Sequence, residues 1–358
     1  MESDPSPPER ILIMRLRGIG DVVLTLPLLD NLRLAFPQAQ IDYLTEPPSA
    51  PLLQNHPALQ EVLVLAHKSW KRLAPLEQAR SHWSFVRALR GRRYDWVIDL
   101  FGNPRTALLV LLSGARRRIG FNFRGRRHAY NVIVEPRGDR LHAIEFNLDV
   151  LRALRVPILT DTLSLPIAND AAAFVGRFWL QHALDSSPMV IGINAFGGWY
   201  TKRWPLPAFA ELGTRLQRES NAKIVLLWGP GEREEVNQLA GMMKTPPLLA
   251  PETTLPQLAA LLARMDLLVA NDSGPMHLSA AVSTPVVAIF GPTRPDLQGP
   301  WGAGHTVVLK SGLPCLGCNG LTCKIQTHDC MQQLPVDQVF QAMQKRLKEI
   351  LSAKSPMP

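Results

Sequence analysis

The 358-residue sequence lacks any apolar run of the roughly 18 residues that a membrane-spanning helix needs. Residues 1–9 are acidic and rich in proline, which is the opposite of a signal peptide. Low-complexity runs are also missing, and a composition of 46% hydrophobic and 19% charged residues argues against wholesale disorder. We therefore expect a soluble, cytoplasmic protein, long enough for two domains of ordinary size.

Cysteine is scarce, and all four cysteines fall in one stretch with the spacing C-x2-C-x4-C-x6-C. Clustered thiols in a cytosolic protein suggest a metal before a disulfide. The spacing is not that of a standard zinc ribbon, although four thiolates can satisfy zinc or iron. The sequence thus predicts a possible structural zinc or iron site at Cys315, Cys318, Cys323 and Cys330, with His328 as a possible substitute ligand.

Acidic residues are too few to balance the basic ones, and the net charge is +9. The excess is concentrated in segment 66–127, where 15 Lys or Arg stand against three acidic residues, a net charge of +12. A solvated basic face is the usual meaning of scattered lysines. Arginine at this density, interleaved with aromatic residues, instead favours recognition of phosphate or carboxylate groups. The acidic partner could be nucleic acid, a phosphorylated ligand or a membrane surface.

The most informative N-terminal stretch begins with the apolar run Ile11–Leu16, which predicts a buried parallel strand. Gly18 and Gly20 break this strand, and Asp21 stands where a helical pattern begins. Such a turn places a carboxylate at the C-terminal edge of a sheet, where open α/β folds bind ligands. The third glycine of a dinucleotide fingerprint is missing, because Val23 occupies its place. The alternative interpretation of Asp21 is a plain helix N-cap.

Strand and helix patterns alternate along the chain and predict two doubly wound parallel sheets. We place an N-terminal domain at 1–180, a second α/β domain at 186–335 and a closing helix at 336–352. Prolines punctuate the region between the two series, which is why the boundary is put there. We expect the strand C-termini of the two domains to face a shared cleft, with the closing helix packing back toward the first domain.

The second half has the stronger signals for a nucleotide. At residues 271–277 a strand gives way to a polar glycine turn and then a helix, whose free amides suit a pyrophosphate. An ordinary turn capped by Asp272 or Ser273 is the alternative. Lys202 and Arg203 lie on a loop after an earlier strand, next to Gly197 and Gly198. These cations could hold a leaving diphosphate, whose charge grows as its bond to a sugar breaks.

Four segments, 17–27, 201–205, 271–281 and 290–293, resemble in order the signature segments of glycosyltransferase family 9, the ADP-heptose:lipopolysaccharide heptosyltransferases. The resemblance covers residues 10 to about 335. It implies the GT-B architecture of two Rossmann-like domains. It also implies inverting, metal-independent transfer of L-glycero-D-manno-heptose from ADP-heptose to the Kdo- or heptose-bearing inner core on lipid A, with no cofactor. In keeping with this, the sequence has no Asp-x-Asp pair to hold a metal.

The resemblance also implies roles for individual residues. Asp21 matches the general base that deprotonates the acceptor hydroxyl, and Lys202 matches the cation that steadies the donor phosphates. The donor-binding residues are expected to be Gly198, Thr201, Arg203, Glu232, Asp272, Ser273, Gly274 and His277. We expect Asp272 to orient Lys202 or a donor hydroxyl. Gly18, Gly20 and segment 66–127 as a whole are expected to bind the acceptor. Where better-known members have hydroxyl side chains before the lysine, this chain has Gly197–Tyr200, so backbone amides would replace them.

Two other function classes stay open at this point. One is a sugar-nucleotide epimerase of the same fold, and the other is a basic nucleotide- or nucleic-acid-binding protein. No recognised DNA or RNA module is apparent, so we expect no nucleic acid partner. The expected location is the cytoplasmic face of the inner membrane, with peripheral contact through the basic residues and the anionic lipid-linked acceptor.

Overall fold

A computed structural model describes residues 7–123, 125–138 and 140–354. The chain divides into two compact units, Met1–Thr162 and Leu163–Pro358. A six-stranded parallel sheet forms the centre of each unit. The predicted α/β class with two doubly wound domains is therefore confirmed.

The first sheet has the order β3-β2-β1-β4-β5-β6, and all its strands are parallel. Its strands are β1 (Arg10–Met14), β2 (Gln40–Thr45), β3 (Glu61–Val64), β4 (Trp96–Asp99), β5 (Arg117–Phe121) and β6 (Val132–Val134). Ile11 to Met14 are fully buried. A strand that helices cover on both faces reads as a continuous apolar run, which is why β1 could be recognised in the sequence.

The helices of the first unit are α1 (Ile19–Val23), α2 (Leu26–Ala35), α3 (Ala50–Leu53), α4 (His67–Trp70), α5 (Pro75–Gly91), α6 (Pro104–Ser113) and α7 (Ala143–Leu154). Most of them connect the end of one strand to the start of the next, as parallel pairing requires. The start of α6 is fixed by a capping box between Asn103 and Thr106. Its position directly after β4 brings its first turn to the C-terminal edge of the sheet.

The second sheet has the order β12-β11-β10-β7-β8-β9. Its strands are β7 (Val190–Asn194), β8 (Lys223–Leu226), β9 (Leu248–Leu249), β10 (Leu267–Asn271), β11 (Val286–Phe290) and β12 (Thr306–Leu309). The helices are α8 (Asn169–Gln181), α9 (Leu206–Ser220), α10 (Arg233–Met242), α11 (Leu255–Ala263), α12 (Gly274–Ala281), α13 (Pro295–Gln298), α14 (Asp329–Gln332) and α15 (Val336–Lys354). Trp204, Phe209 and Phe340 are among the aromatic residues that fill its core.

The boundary between the units differs from the predicted one. The first unit ends at Thr162, whereas the sequence predicted an N-terminal domain up to residue 180. The reason is α8, which packs on α11 and so belongs to the second unit. The closing helix α15 packs on α9, β11 and β12 of the second unit. A return of this helix to the first domain stays a prediction. Among the helices of the described ranges, none is both long and apolar enough to cross a bilayer.

Candidate active site

The chain turns sharply between β1 and α1, and this turn shapes the first part of the site. Gly18 has φ of +81°, and α1 begins at Ile19. A Cβ on Gly18 would lie 2.0 Å from Oδ2 of Asp21, so both the backbone angle and the space require glycine. Asp21 lies in the first turn of α1 rather than before it, and the N-cap position belongs to Gly18. The N-cap interpretation of Asp21 is therefore wrong. Gly20 is buried within α1.

Arg15 holds the Asp21 carboxylate in place. Its Nη2 lies 2.7 Å from Oδ1 of Asp21, while its Nη1 donates a hydrogen bond of 2.6 Å to the carbonyl of Leu100. The guanidinium also lies over the Phe101 ring, 5.4 Å from the centroid. The Asp21 side chain is 39% exposed. One carboxylate oxygen is thus fixed by a cation, and the side chain remains partly exposed. The role of Asp21 as a base stays a prediction.

The end of β4, which anchors Arg15, is itself fixed by a buried carboxylate. Asp99 is fully buried and accepts hydrogen bonds from the amides of Phe101 and Gly102, both at 3.0 Å. The Tyr130 hydroxyl donates a further bond of 2.8 Å. Burial raises the pKa of Asp99, and these hydrogen bonds oppose that shift. Buried hydrogen bonds to Asp99 therefore stabilise the end of β4, whose Leu100 carbonyl in turn holds Arg15 next to Asp21.

The basic segment 66–127 does not form one surface. Lys68 and Arg105 follow the C-terminal ends of β3 and β4, at the same edge of the sheet as Asp21. Arg92 instead lies at the opposite edge, where it bonds to Glu61 at the start of β3 with distances of 2.6 and 2.9 Å. Arg124, another cation of the segment, lies outside the described residues. Only part of the segment can therefore share a surface with Asp21.

The second sheet carries a polar centre at its own C-terminal edge. Asp272, which directly follows β10, is buried, and its Oδ2 accepts a hydrogen bond of 2.6 Å from the Thr293 hydroxyl. Nζ of Lys202 lies 2.7 Å from the same oxygen. Ser273 is the N-cap residue of α12 but makes no capping bond through its side chain. Gly274 opens this helix, and His277 is buried within it.

Lys202 is held in a defined place beside α12. It ends a single 3-10 turn, and its Nζ lies 4.5 Å from the centroid of the Trp199 ring. The amide of Trp204 donates 3.1 Å to Oδ1 of Asn271, and Nδ2 of Asn271 donates 2.9 Å to the carbonyl of Ala195. These two bonds tie the lysine loop to the end of β10. The predicted contact between Asp272 and Lys202 is present, and its role toward a donor stays a prediction.

The other cation of this loop is already paired within the protein. Arg203 donates 2.9 Å to the carbonyl of Gly197 and 3.0 Å to Oε1 of Glu235. Glu232 accepts 2.7 Å from the amide of Gly229, and its pKa is raised by burial. The Cβ direction of Gly198 points into open space. Glu232 and Arg203 thus organise the two turns that follow β7 and β8, and donor contacts from these residues stay predictions.

The cysteine stretch supports the lysine loop. Thr201 donates 2.9 Å through its hydroxyl to the carbonyl of Gly320, and Nε2 of His328 lies 2.6 Å from the carbonyl of Thr201. The hydroxyl of Thr201 is therefore bonded within the protein, and the predicted role of Thr201 in donor binding stays a prediction. A cavity of about 50 Å³ lies here, and its lining includes Cys315, Cys318, Cys323 and Cys330.

The four thiols are free, and burial raises the pKa of Cys330 to about 11. Within residues 7–123, 125–138 and 140–354, no group of three or more His, Cys, Asp or Glu is arranged to hold a metal ion. A structural metal at the cluster stays a prediction.

Three residues of this site were not singled out from the sequence. Arg15 lies between the first strand and Gly18, Thr293 ends the segment 290–293 and Asn271 begins the segment 271–281, but none of the three has a predicted role. Each follows or ends a buried strand at the C-terminal edge of its sheet. A polar residue at that point of an otherwise apolar strand is the signal that could have found them.

Comparison with known proteins connects this geometry to a family. Residues 82–328 match the family model described as glycosyltransferase family 9 (heptosyltransferase). The chain belongs to glycosyltransferase family 9. Lipopolysaccharide heptosyltransferase 3 from Escherichia coli is 30% identical over 297 residues, which cover 80% of this chain and 84% of that protein. Lipopolysaccharide heptosyltransferase 1 from Pseudomonas aeruginosa is 29% identical over 320 residues, 88% of each chain.

Solved structures agree with this assignment. A glycosyltransferase family 9 protein from Veillonella parvula superposes with a TM-score of 0.84 and 27% identity, covering 95% of this chain and 98% of that one. The E. coli heptosyltransferase WaaC with ADP gives a TM-score of 0.73 at 25% identity, covering 94% and 99%. The family 9 chain is thus a glycosyltransferase with the GT-B fold, as its sequence predicted.

Proposed function

We propose that this family 9 enzyme transfers L-glycero-D-manno-heptose from ADP-heptose to the inner core of lipopolysaccharide, with inversion and without a metal. The observation that carries the proposal is Asp21, whose carboxylate is fixed by Arg15 through one oxygen and is partly exposed. The relatives named above support the choice of sugar, because they are lipopolysaccharide heptosyltransferases. One solved relative is E. coli WaaC with ADP-2-deoxy-2-fluoro heptose.

The second unit supplies the donor site in this proposal. The N-terminus of α12 presents amides and the positive end of a helix dipole, which favour a diphosphate. Lys202 adds a cation that Asp272 and the Trp199 ring keep in position. Negative charge on the ADP diphosphate grows as its bond to the anomeric carbon breaks. Lys202 and the helix N-terminus would stabilise that growing charge, which is the role that makes such groups catalytic.

The first unit supplies the base. Asp21 takes the proton of the acceptor hydroxyl while the hydroxyl oxygen forms its bond to the anomeric carbon from the face opposite the leaving ADP. One carbon–oxygen bond forms, one breaks, and the configuration inverts. The basic residues at the same sheet edge would attract the anionic, lipid-linked acceptor, and the same charges would give peripheral contact with the cytoplasmic face of the inner membrane.

Donor preference tests this proposal most simply. We expect calorimetry to detect binding of ADP-heptose and of ADP, and to detect no comparable binding of UDP- or GDP-sugars. A lipid A acceptor that bears Kdo or heptose should then gain one heptose. Turnover of a nucleotide sugar without any acceptor would instead indicate an epimerase. Binding to nucleic acid at physiological ionic strength, with no sugar transfer, would indicate the nucleic-acid-binding alternative.

A further inference from the structure

A buried carboxylate lies among basic side chains at the C-terminal edge of the first sheet. Glu46 follows β2 directly and is only 3% exposed. Nε of Arg17 and Nδ1 of His67 lie 3.5 and 3.6 Å from its Oε1, and Nζ of Lys68 lies 3.7 Å from its Oε2. These partners come from the turn after β1 and from α4 after β3. Glu46 therefore joins three neighbouring strand ends.

The charges around Glu46 do not balance. Burial is the largest cause that lowers the pKa of His67, and nearby guanidinium and ammonium groups lower it further, while Glu46 opposes the shift. The net shift favours the neutral imidazole. Arg17 and Lys68 lie beside Glu46, while Lys71 and Arg105 act electrostatically on His67. These groups together give four positive charges against the one carboxylate of Glu46, and an anion would relieve the excess.

The hydrogen bonds of this cluster are also incomplete. Oε1 of Glu46, Nδ1 of His67 and Nη1 of Arg105 are buried and have no hydrogen-bond partner. The contacts of Glu46 with Arg17, His67 and Lys68, at 3.5 to 3.7 Å, are longer than hydrogen bonds. Buried polar groups of a folded protein are normally bonded, so a cluster of unpaired ones calls for an explanation. Nη1 of Arg105 lacks an acceptor, which an acidic oxygen of a ligand would supply, and Oε1 of Glu46 lacks a donor, which a sugar hydroxyl of the same ligand would supply.

We infer that Glu46 is a positioning residue that gathers Arg17, His67 and Lys68 into a binding site for an acidic group on the acceptor sugar. The inference rests on the proposed function and deepens it. Arg17 belongs to the same turn that leads into Asp21, so a sugar held here by its carboxylate or phosphate brings its hydroxyls toward the base. In the proposed function the donor diphosphate binds at α12, which leaves the acceptor as the ligand of this cluster.

Steady-state kinetics of Glu46→Gln with ADP-heptose and a deacylated Kdo-bearing lipid A test the inference. We expect the acceptor KM to rise about 10-fold, while the donor KM and kcat stay within about twofold. The reason is that the acidic group of the acceptor contacts the cluster equally in the bound ground state and in the transition state, so its loss weakens acceptor binding without changing the chemical step. Glu46→Asp should recover part of the loss. Glu61→Gln is the matched control, since it removes a carboxylate from Arg92 at the opposite edge of the same sheet and should leave the acceptor KM unchanged.

Two results would overturn the inference. The first is an unchanged or lower acceptor KM in Glu46→Gln, as expected if Glu46 only neutralises cations. The second is a fall in kcat together with a rise in both KM values, as a general loss of structure would give. If the wild type transfers no heptose, the proposed function fails. Calorimetry with the deacylated acceptor then decides the site on its own, and equal affinities of wild type and Glu46→Gln would refute it.

Modified acceptors identify which acidic group is bound. Methyl esterification removes the sugar carboxylates, and a phosphatase removes the phosphates. We expect one of these changes to raise the wild-type acceptor KM and to abolish the difference between wild type and Glu46→Gln. If neither change affects KM, the inference is wrong. Weaker binding of Glu46→Gln to anionic phospholipid vesicles, with an unchanged KM for the deacylated acceptor, would assign the cluster to the membrane and contradict the inference.

Discussion

Replacing Gly18 by alanine should displace the Asp21 carboxylate, the proposed base, without changing it chemically. The new Cβ would lie 2.0 Å from Oδ2 of Asp21, whereas ordinary contacts begin at 3.4 Å. The oxygen must therefore retreat by more than ~1 Å, and such a misplacement of a catalytic group costs about 10²-fold in rate. The φ of +81° adds strain of roughly 1–3 kcal/mol to any residue other than glycine.

The two effects can be separated by a matched variant. Gly312 has φ of +80° and no atom within 4 Å of its Cβ direction, so Gly312→Ala carries a similar backbone strain with no clash. We expect both variants to lower the thermal unfolding midpoint by a few degrees. Only Gly18→Ala should lose kcat, by about 10²-fold, because only it moves a catalytic group.

The assay is heptose transfer under saturating ADP-heptose and acceptor, with the concentration of folded enzyme measured by ADP titration. A Gly18→Ala enzyme that binds ADP normally and keeps kcat within about threefold of the wild type would refute the reasoning, because it falls far short of the 10²-fold expected for a misplaced base. Equal losses of kcat in both variants would also refute it, since strain alone would then account for the effect.

Two further predictions follow from the charged residues. Lys202→Met should lower kcat about 10²- to 10³-fold, as expected for one group that stabilises the negative charge on the leaving diphosphate. Lys244→Met, on the exposed surface, is the control and should keep the wild-type kcat. A similar kcat in both variants would show that Lys202 has no part in the mechanism. Burial raises the pKa of Asp30 from 3.8 to about 6. The charged carboxylate therefore destabilises the folded state fully above about pH 6, and this destabilisation disappears below about pH 4, where Asp30 is protonated in both states. Asp30→Asn should therefore stabilise the protein by about 1–2 kcal/mol near pH 7.5, after allowance for partial exposure, and have little effect near pH 4. Denaturant unfolding at both pH values, with Glu252→Gln as the exposed control, checks this, and destabilisation near pH 7.5 would contradict it.

Buried strands were predictable from the sequence because both of their faces are covered. Sequence patterns predict strands at residues 40–45, 190–194 and 286–290, and the structure has strands with these bounds, in which every residue except Gln40 is buried. The edge strand β12 was missed because only one of its four residues is buried. An edge position removes the hydrophobic signal, and local sequence contains no other sign of pairing.

The start of a helix decided the interpretation of Asp21. A helix that begins at Asp21 makes the carboxylate a cap, whereas the observed start at Ile19 turns the side chain back over Gly18. A shift of two residues lies within the usual uncertainty of helix ends. Gly18 was visible in the sequence, and the turn before α1 needs both its positive φ and its lack of a Cβ atom.

Contacts between distant residues were the part that could not be predicted from spacing. The pair of Lys202 with Asp272 was expected only through family resemblance, and the bond from Thr293 to Asp272 was not expected at all. The net charge of segment 66–127 likewise could not predict that its basic residues lie at two opposite edges of the first sheet. Their placement depends on where each strand begins and ends, and composition contains no information about those positions.

The most direct test of the account is heptose transfer by Asp21→Asn, compared with the wild type at equal concentrations of folded enzyme. The asparagine keeps the shape of the side chain but cannot take the proton of the acceptor hydroxyl. We predict that ADP-heptose and the acceptor bind with near wild-type affinity, while kcat falls about 10²- to 10⁴-fold. Wild-type turnover by Asp21→Asn would contradict the account, because the acceptor proton would then leave by another route.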